Sequence, residues 1–345
     1  GVLYLLKYWD GTAALFSRLS GLSLPGLELV MPLGLSFYIF QSVGYVIDVY
    51  RDKYKPDRSL AKFALFVSFF PQIIQGPIGR YDQLAGQLYA RRSVNLDHLK
   101  YGIQLMLWGC FKKMVVADRA AVVVNQVFGN YLDYGGCIIA VGVIFYCIQI
   151  YCDFSGGIDI ARGAAGCLGI RMAENFERPY FAISIGDYWR RWHITLGSWM
   201  RDYLFYPLSL SKPISRLNKF TRNKLGNHLG KILPTCLVYF IVFFVIGIWH
   251  GANWKYIAFG VWNGSLILLA LIFAPHFKAG LEKSHIDPDG LPWHLVRMLR
   301  TFLLVCIGRY FTRADSLHMA LSMMKRSVVS RQRGQLLDGS LMTLG

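Results

Sequence analysis

A histidine stands at the end of an uncharged apolar run and could move protons. The run from Ile232 to Ile248 carries no charged residue, and Trp249, His250 and Gly251 follow it directly. A second uncharged run, Tyr256 to Ala274, returns, so we expect a hairpin with His250 at its turn. Ionisable groups at membrane depth are costly, and they tend to face a cavity and to take part in function. Since imidazole is suited to proton transfer near neutral pH, His250 is a candidate general base, and burial would keep it neutral and basic. The alternative is an interfacial residue in an aromatic belt, because tryptophans flank it.

A second histidine, His193, lies in the aromatic and basic stretch Tyr188–Leu196. The two histidines could share acid–base work, or His193 could anchor an interfacial helix. No histidine or cysteine stands beside either of them at metal-ligand spacing, and none of the seven cysteines forms a CxxC pair. We therefore expect neither a metal site nor a disulfide framework.

Two adjacent arginines precede His193. Arg190 and Arg191 could grip a phosphate, because a guanidinium matches that group in geometry and charge. Alternatively they follow the rule that cytoplasmic loops of membrane proteins are basic. The stretch from Tyr188 to Lys231 supports the second view, since it holds nine basic residues against one acid. We expect this loop to be cytoplasmic.

Two acids follow the apolar run Gly135–Tyr151. Asp153 and Asp159 surround a glycine pair, which predicts an irregular, buried and polar segment. As a carboxylate pair they could couple protons, as in a transporter. The structural alternative is pairing with a buried arginine, for which Arg162 and Arg80 are candidates.

Prolines and glycines interrupt two other apolar runs. One break covers Met31–Phe37, and the other covers Pro71–Pro77 and includes Gln72. Because proline leaves backbone groups unpaired, neither break can face lipid as a continuous helix. We expect re-entrant or cavity-lining segments, with Gln72 and Asp153 as candidates for the wall of a hydrophilic path.

Composition sets the solvent of the whole chain. Of its 345 residues, 54% are hydrophobic and 17% charged, the mean hydropathy is +0.36 and the formal net charge is +17. The basic residues lie in loops between apolar runs, which indicates a bilayer and not nucleic acid as the partner. The pattern predicts an all-α, multi-pass integral membrane protein with about seven to nine membrane segments, plus re-entrant and interfacial helices.

Five motifs in order resemble the membrane-bound O-acyltransferase (MBOAT) superfamily, in its bacterial alginate and cell-wall polysaccharide O-acetyltransferase branch. They are Pro32–Phe37 with Phe69–Pro77, Asp153–Gly156, Trp189–Leu196 with Arg201–Leu204, Trp249–Ala252, and Phe311–Leu317. One departure is Gly308-Arg309-Tyr310, where the branch usually has aromatic or apolar residues. Members usually extend further at both ends, so we expect residues 1–345 to be one MBOAT domain from a longer protein.

The resemblance implies transfer of an acyl group, foremost acetyl, from a cytoplasmic thioester such as acetyl-CoA to hydroxyls of an extracellular or cell-wall polysaccharide. His250 would be the base and His193 a second functional histidine. Trp249 would hold His250, and Asn253 would donate to the oxyanion.

The resemblance also implies partners. It predicts no tightly bound cofactor, since acyl-CoA is a substrate, and it predicts a separate extracytoplasmic hydrolase-like protein that receives the acyl group. Three alternatives stay open: D-alanyl transfer to teichoic acid, acylation of a lipid, and an ion-coupled transporter.

Overall fold

The computed structural model describes residues 2–27, 29, 32–73 and 75–330. These residues form the helices α1 (Val2–Lys7), α2 (Trp9–Ser20), α3 (Leu35–Tyr50), α4 (Leu60–Val67), α5 (Phe70–Ile73), α6 (Tyr81–Tyr89), α7 (Leu96–Cys110), α8 (Asp118–Gly129), α9 (Gly136–Cys167), α10 (Ile185–Arg191), α11 (Ile194–Met200), α12 (Tyr206–Ser209), α13 (Lys212–His250), α14 (Trp254–Ile272), α15 (Ala274–Lys283), α16 (Leu291–Arg313) and α17 (Leu317–Val329). Two π-helical stretches, Phe111–Ala117 and Arg201–Phe205, join neighbouring helices. Within the described ranges there is no strand, so the predicted all-α class is confirmed.

Among the described residues, four helices are long and apolar enough to cross a bilayer: α9, α13, α14 and α16. Together with the apolar composition they confirm a membrane protein. The number of seven to nine segments stays a prediction.

The chain divides into two compact units. Unit 1 comprises Gly1–Val116 and Tyr151–Asn175, and unit 2 comprises Ala117–Ile150 and Phe176–Gly345. The boundary therefore falls inside α9. Unit 2 holds the larger described core, in which α8, the first half of α9, α14, α16 and α17 contribute buried side chains.

The second predicted break is present in unit 1. The α4 helix ends at Val67, the short α5 contains Pro71, and the chain from Gly76 to Ile78 is buried and not helical. Burial in protein supplies the cover that freed backbone groups need. Of the first break, Met31 lies outside the described residues, and α3 begins only after Gly34, which has a φ of 76°.

The expectation of an irregular segment after Tyr151 is wrong. The α9 helix continues through both glycines to Cys167. The glycines serve helix packing instead: a Cβ at Gly109 on α7 would lie 2.6 Å from the Gly156 carbonyl, and one at Gly102 would lie 2.5 Å from the Gly163 carbonyl. These pairs run antiparallel, so α7 and the second half of α9 approach at backbone distance.

The predicted hairpin around His250 is present in unit 2. The α13 and α14 helices pack against each other, and a Cβ at Gly247 would lie 2.5 Å from the Tyr256 carbonyl. The α13 helix is two helical segments, because Gly226 has a φ of 74° and a ψ of −177°. The close glycine contacts hold the hairpin one turn from His250.

Candidate active site

His250 is the last residue of α13, and three aromatic rings surround one side of it. Its ring centroid lies 4.8 Å from that of Trp249, 6.1 Å from Tyr256 and 5.9 Å from Phe259. The expectation that His250 is buried is wrong, because its side chain is exposed. Its imidazole therefore contacts these three rings and is still exposed at the surface of the described residues.

His193 is the opposite case, a histidine enclosed in protein. It is 5% exposed, and it lies between α10 and α11 with φ 48° and ψ 53°, the left-handed region that a side chain with a Cβ adopts only at a cost. Burial, together with the nearby His250, lowers the pKa of His193 to about 3. The His193 imidazole is therefore neutral at physiological pH.

The structure brings the two histidines to one place in unit 2. The ring centroid of Trp249 lies 4.8 Å from His250 and 6.5 Å from His193. The three predicted residues thus form one contact group, in which the indole contacts both an exposed imidazole and a buried one.

A buried arginine, Arg309, contacts the residue that precedes His193, and the sequence did not indicate a function for it. Arg309, on α16, is 4% exposed, lies 4.4 Å above the ring of Trp192, and donates through Nη2 to the Tyr188 hydroxyl at 2.5 Å. The Trp192 ring also stacks on Tyr188, 5.7 Å between centroids. In the described part of the chain no carboxylate pairs with this guanidinium. The sequence signal that could have identified Arg309 is a single arginine inside an apolar run.

Arg190 and Arg191 both pair with an acid on their own helix. Arg191 Nε lies 3.1 Å from Asp187 Oδ1, and Arg190 Nη2 lies 3.3 Å from the same atom. Burial opposes ionisation of Asp187, but hydrogen bonds from Arg191 and the Ile183 amide, with the charges of both arginines, lower its pKa. The pairs stabilise α10, and the side chain of Arg190 is still 73% exposed. A role for either arginine in substrate binding stays a prediction.

Asn253 caps the helix that follows His250. Its Oδ1 accepts from the Lys255 amide at 3.1 Å, which satisfies one of the first N–H groups of α14. The amide Nδ2 is the group that would donate to an oxyanion. That role stays a prediction, while the cap itself is a structural function that the sequence reasoning did not consider.

The remaining two candidates, Gln72 and Asp153, belong to unit 1. Gln72 is fully buried, and its Nε2 donates to the Phe66 carbonyl at 2.7 Å and to Gln41 Oε1 at 3.2 Å. Asp153 pairs with Lys113 at 2.8 Å. Both side chains therefore have structural partners, and their predicted place on the wall of a hydrophilic path stays a prediction.

Arg162, a candidate partner for the two acids, pairs with Asp159 and not with Asp153. Arg162 pairs with Asp159 at 3.7 Å, and Lys112 pairs with the same carboxylate at 2.6 Å. Asp153 and Asp159 therefore each face a lysine of the Phe111–Ala117 stretch, since Lys113 holds the first and Lys112 the second.

The described residues, all-helical with four helices of spanning length, belong to the class of multi-pass α-helical membrane proteins. Within that class the chain belongs to the MBOAT, membrane-bound O-acyltransferase family, whose model matches residues 55–293. Both histidines lie inside the matched region. The resemblance predicted from the five motifs is thereby confirmed.

Several curated proteins are similar to this chain. A probable alginate O-acetylase AlgI of Pseudomonas syringae pv. tomato is 36% identical over 294 residues, which cover 85% of this chain and 51% of the relative. A peptidoglycan O-acetyltransferase of Helicobacter pylori is 29% identical, over 95% of this chain and 62% of the relative. A teichoic acid D-alanyltransferase of Bacillus subtilis is 27% identical, over 85% and 71%. The chain spans about half the length of the alginate relatives that it matches.

Proposed function

We propose that the protein containing this chain is a membrane O-acyltransferase that acts on a polysaccharide. In the proposed reaction an acetyl group passes from a cytoplasmic thioester donor such as acetyl-CoA to hydroxyls of an extracellular or cell-wall polysaccharide. Transfer is direct or runs through an extracytoplasmic hydrolase-like partner. Family membership and the relatives named as O-acetylases of alginate and peptidoglycan support this proposal.

The observation that carries the proposal is the exposed His250 beside the buried, neutral His193. A polysaccharide hydroxyl is a poor nucleophile until a base accepts its proton. The exposed imidazole of His250 is accessible to such a hydroxyl, whereas an enclosed one would not be. His193 would act indirectly: its uncharged ring would contact Trp249 and so hold Trp249 and His250 in position.

The proposed reaction has two stages, addition of the hydroxyl and expulsion of the thiolate. The hydroxyl oxygen forms a bond to the thioester carbonyl carbon while His250 takes the hydroxyl proton. The tetrahedral intermediate then expels the thiolate, which recovers that proton from the imidazolium. Donors near the carbonyl oxygen stabilise its developing charge, and the Nδ2 of Asn253 is our candidate. The acyl-CoA enters as a substrate, and CoA leaves as the free thiol.

Charge supports the orientation that this reaction needs. The stretch from Tyr188 to Lys231 carries nine basic residues and one acid, which favours a cytoplasmic location. The second segment of α13 then runs outward, so His250 lies toward the extracytoplasmic side. A cysteine introduced at Lys219 in a cysteine-free background should resist labelling from outside intact cells. Efficient labelling would reverse the orientation and the side of the donor.

The direct test is His250→Ala in the full-length protein at matched membrane abundance. Loss of a positioned general base costs about 10²–10⁴-fold in rate, and truncating an exposed side chain should leave insertion and purification unchanged. His228→Ala is the matched control, because it removes another exposed histidine of α13. Acetyl content of the cell-surface polymer is the readout. Near-normal acetylation in His250→Ala would leave His250 with an aromatic-belt role.

The D-alanyl alternative rests on the Bacillus subtilis relative. Mild base releases ester-linked acyl groups from the polymer, so the released acid identifies the transferred group. Acetate lost in the His250→Ala strain supports acetylation, and D-alanine lost in that strain supports the alternative.

A further inference from the structure

A cavity of about 420 Å³ opens in unit 1, beside the first turns of α7 and the end of α9. Its wall is of two kinds: Leu105 and Ile170 are apolar, whereas His98, Arg162 and Arg171 are basic. Asp97 is the carboxylate on the wall. The volume falls within the range of about 300–1,000 Å³ that is typical of ligand sites.

The basic side of this cavity is built by side chains that fix a loop. The Gln87 amide clamps the backbone of Arg171, donating to its carbonyl at 3.0 Å and accepting from its N–H at 2.9 Å. Arg92 donates to the Gly169 carbonyl. Gly169 has a φ of +74°, and a Cβ there would lie 3.1 Å from Arg92 Nη1 and 3.2 Å from His98 Nδ1. The loop and its cations are therefore held in one arrangement.

The charges at the cavity are unequally compensated. Arg162 is paired, through Nη2, with Glu174 at 2.9 Å. Neither Arg92 nor Arg171 forms an ion pair with any carboxylate in the described ranges. Arg171 lies on the wall, and Arg92 lies beside it, where it donates to the carbonyl of the wall residue Gly169. These two guanidinium groups, neither of them in an ion pair, stand against the wall carboxylate of Asp97, so the charge next to the cavity favours an anion.

Next to the cavity, α7 exposes the rings of Tyr101 and Trp108, which lie on the same side of the helix as Leu105. Ile103 and Leu107 are exposed on the opposite side of α7. Exposed aromatic rings of this kind pack well against the hydrocarbon part of a lipid. A ligand that fits both neighbours has an anionic head and a hydrocarbon tail.

We propose that this cavity binds the phosphodiester headgroup of an anionic phospholipid, with the phosphate against Arg171 and Arg92 and an acyl chain along α7. Basic pockets between membrane helices commonly bind such headgroups, and a guanidinium forms paired hydrogen bonds with phosphate oxygens. This site lies within unit 1 and does not depend on the proposed acyl transfer.

The test uses the purified full-length protein in a neutral detergent. Tail-labelled phosphatidylglycerol and phosphatidylcholine are titrated in parallel, with glycerol 1-phosphate as the soluble anion. Arg171→Gln is the test variant, Arg171→Lys keeps the charge, and Arg91→Gln is the matched control on an exposed arginine outside the cavity wall. Thermal unfolding of each variant reports folding separately.

We expect phosphatidylglycerol to bind the wild type more tightly than phosphatidylcholine. Arg171→Gln should weaken phosphatidylglycerol about tenfold, because one charge-assisted hydrogen bond is lost. Arg171→Lys should recover most of the affinity, and Arg91→Gln should match the wild type.

Three results would overturn the proposal. Equal binding of the two lipids would remove the charge preference, and unchanged binding in a folded Arg171→Gln protein would place the lipid elsewhere. Binding of glycerol 1-phosphate as tight as that of phosphatidylglycerol would make the ligand a free anion and not a lipid.

Discussion

Replacing Arg309 by methionine should lower activity while leaving the stability of the protein nearly unchanged. Arg309 lies in α16, a candidate membrane-spanning helix, and is 4% exposed. Its guanidinium contacts Trp192, the residue before His193, and Tyr188, which stacks on Trp192. Methionine keeps the length and apolar stem of the side chain and removes the charge.

The magnitudes oppose each other in stability. The variant loses a cation–π contact of about 2 kcal/mol in a desolvated setting and a hydrogen bond from a charged group worth about 1.5–3 kcal/mol. It recovers the cost of burying a guanidinium without a carboxylate partner, which is several kcal/mol. We therefore expect the free energy of unfolding to change by less than about 2 kcal/mol.

Activity should respond differently, because Arg309 contacts Trp192, the neighbour of the proposed functional residue His193. Without it Tyr188 and Trp192 lose their shared anchor and the His193 imidazole can shift. A displacement of about 1 Å in an active site can cost about 10²-fold in rate. We expect acyl transfer to fall roughly 10- to 100-fold at nearly unchanged stability.

The assay combines acetyl content of the polymer at matched protein level with thermal unfolding of the purified protein. Arg313→Met is the control: this arginine lies one turn further along α16 and donates to Asn125 at 2.7 Å. Full activity in Arg309→Met would refute the positioning role. A loss of several kcal/mol in stability that accounts for the lost activity would refute it as well.

Three further predictions concern stability. Gly260→Ala should destabilise the protein by about 3 kcal/mol, because the added Cβ runs into a carbonyl of the facing helix that cannot move aside. Asp159→Asn should cost about 3–5 kcal/mol, because it leaves a mostly buried lysine without its partner. His193→Asn should weaken the pH dependence of unfolding. A folded-state pKa lowered to about 3 means that stability is complete above the unfolded pKa of about 6.5 and is lost as pH falls toward 3. The wild type should thus lose about 2 kcal/mol more than the variant between pH 7 and pH 5.

Matched substitutions isolate each cause, with thermal unfolding in detergent as the common measurement. Gly280→Ala adds a methyl group where nothing lies within 4 Å and should be neutral or stabilising by up to about 1 kcal/mol. Asp153→Asn breaks a half-exposed pair and should cost less than about 1 kcal/mol. His228→Gln should keep the pH dependence of the wild type. If any test variant behaves like its control, the corresponding contact does not carry the predicted energy.

The sequence predicted those features that local patterns determine. Charge-free runs of the right length predicted the hairpin around His250, and prolines predicted the break at Pro71. The histidine pair followed from residue type and motif. Each of these depends on neighbours within a few positions of the chain.

What the sequence did not predict depends on tertiary neighbours. In the sequence, Arg309 is a charged residue that interrupts an apolar run. Its contact with Trp192, more than a hundred positions away, forms only in the folded protein. Pairing with an arginine was the structural alternative for Asp153 and Asp159; Asp159 does pair with Arg162, whereas Asp153 pairs with Lys113. The exposure of His250 follows from where packing ends, and no local pattern reports that.

The left-handed backbone of His193 has a consequence for how this site is dissected by mutagenesis. An alanine scan here would measure two quantities at once, the missing imidazole and the conformational preference of the replacement residue. Asparagine tolerates the left-handed region better than most residues with a Cβ, so it removes the ring while leaving the turn into α11 in place. A scan that used alanine alone would overstate the chemical importance of His193, because part of the measured loss would come from the conformational cost of alanine at this φ angle.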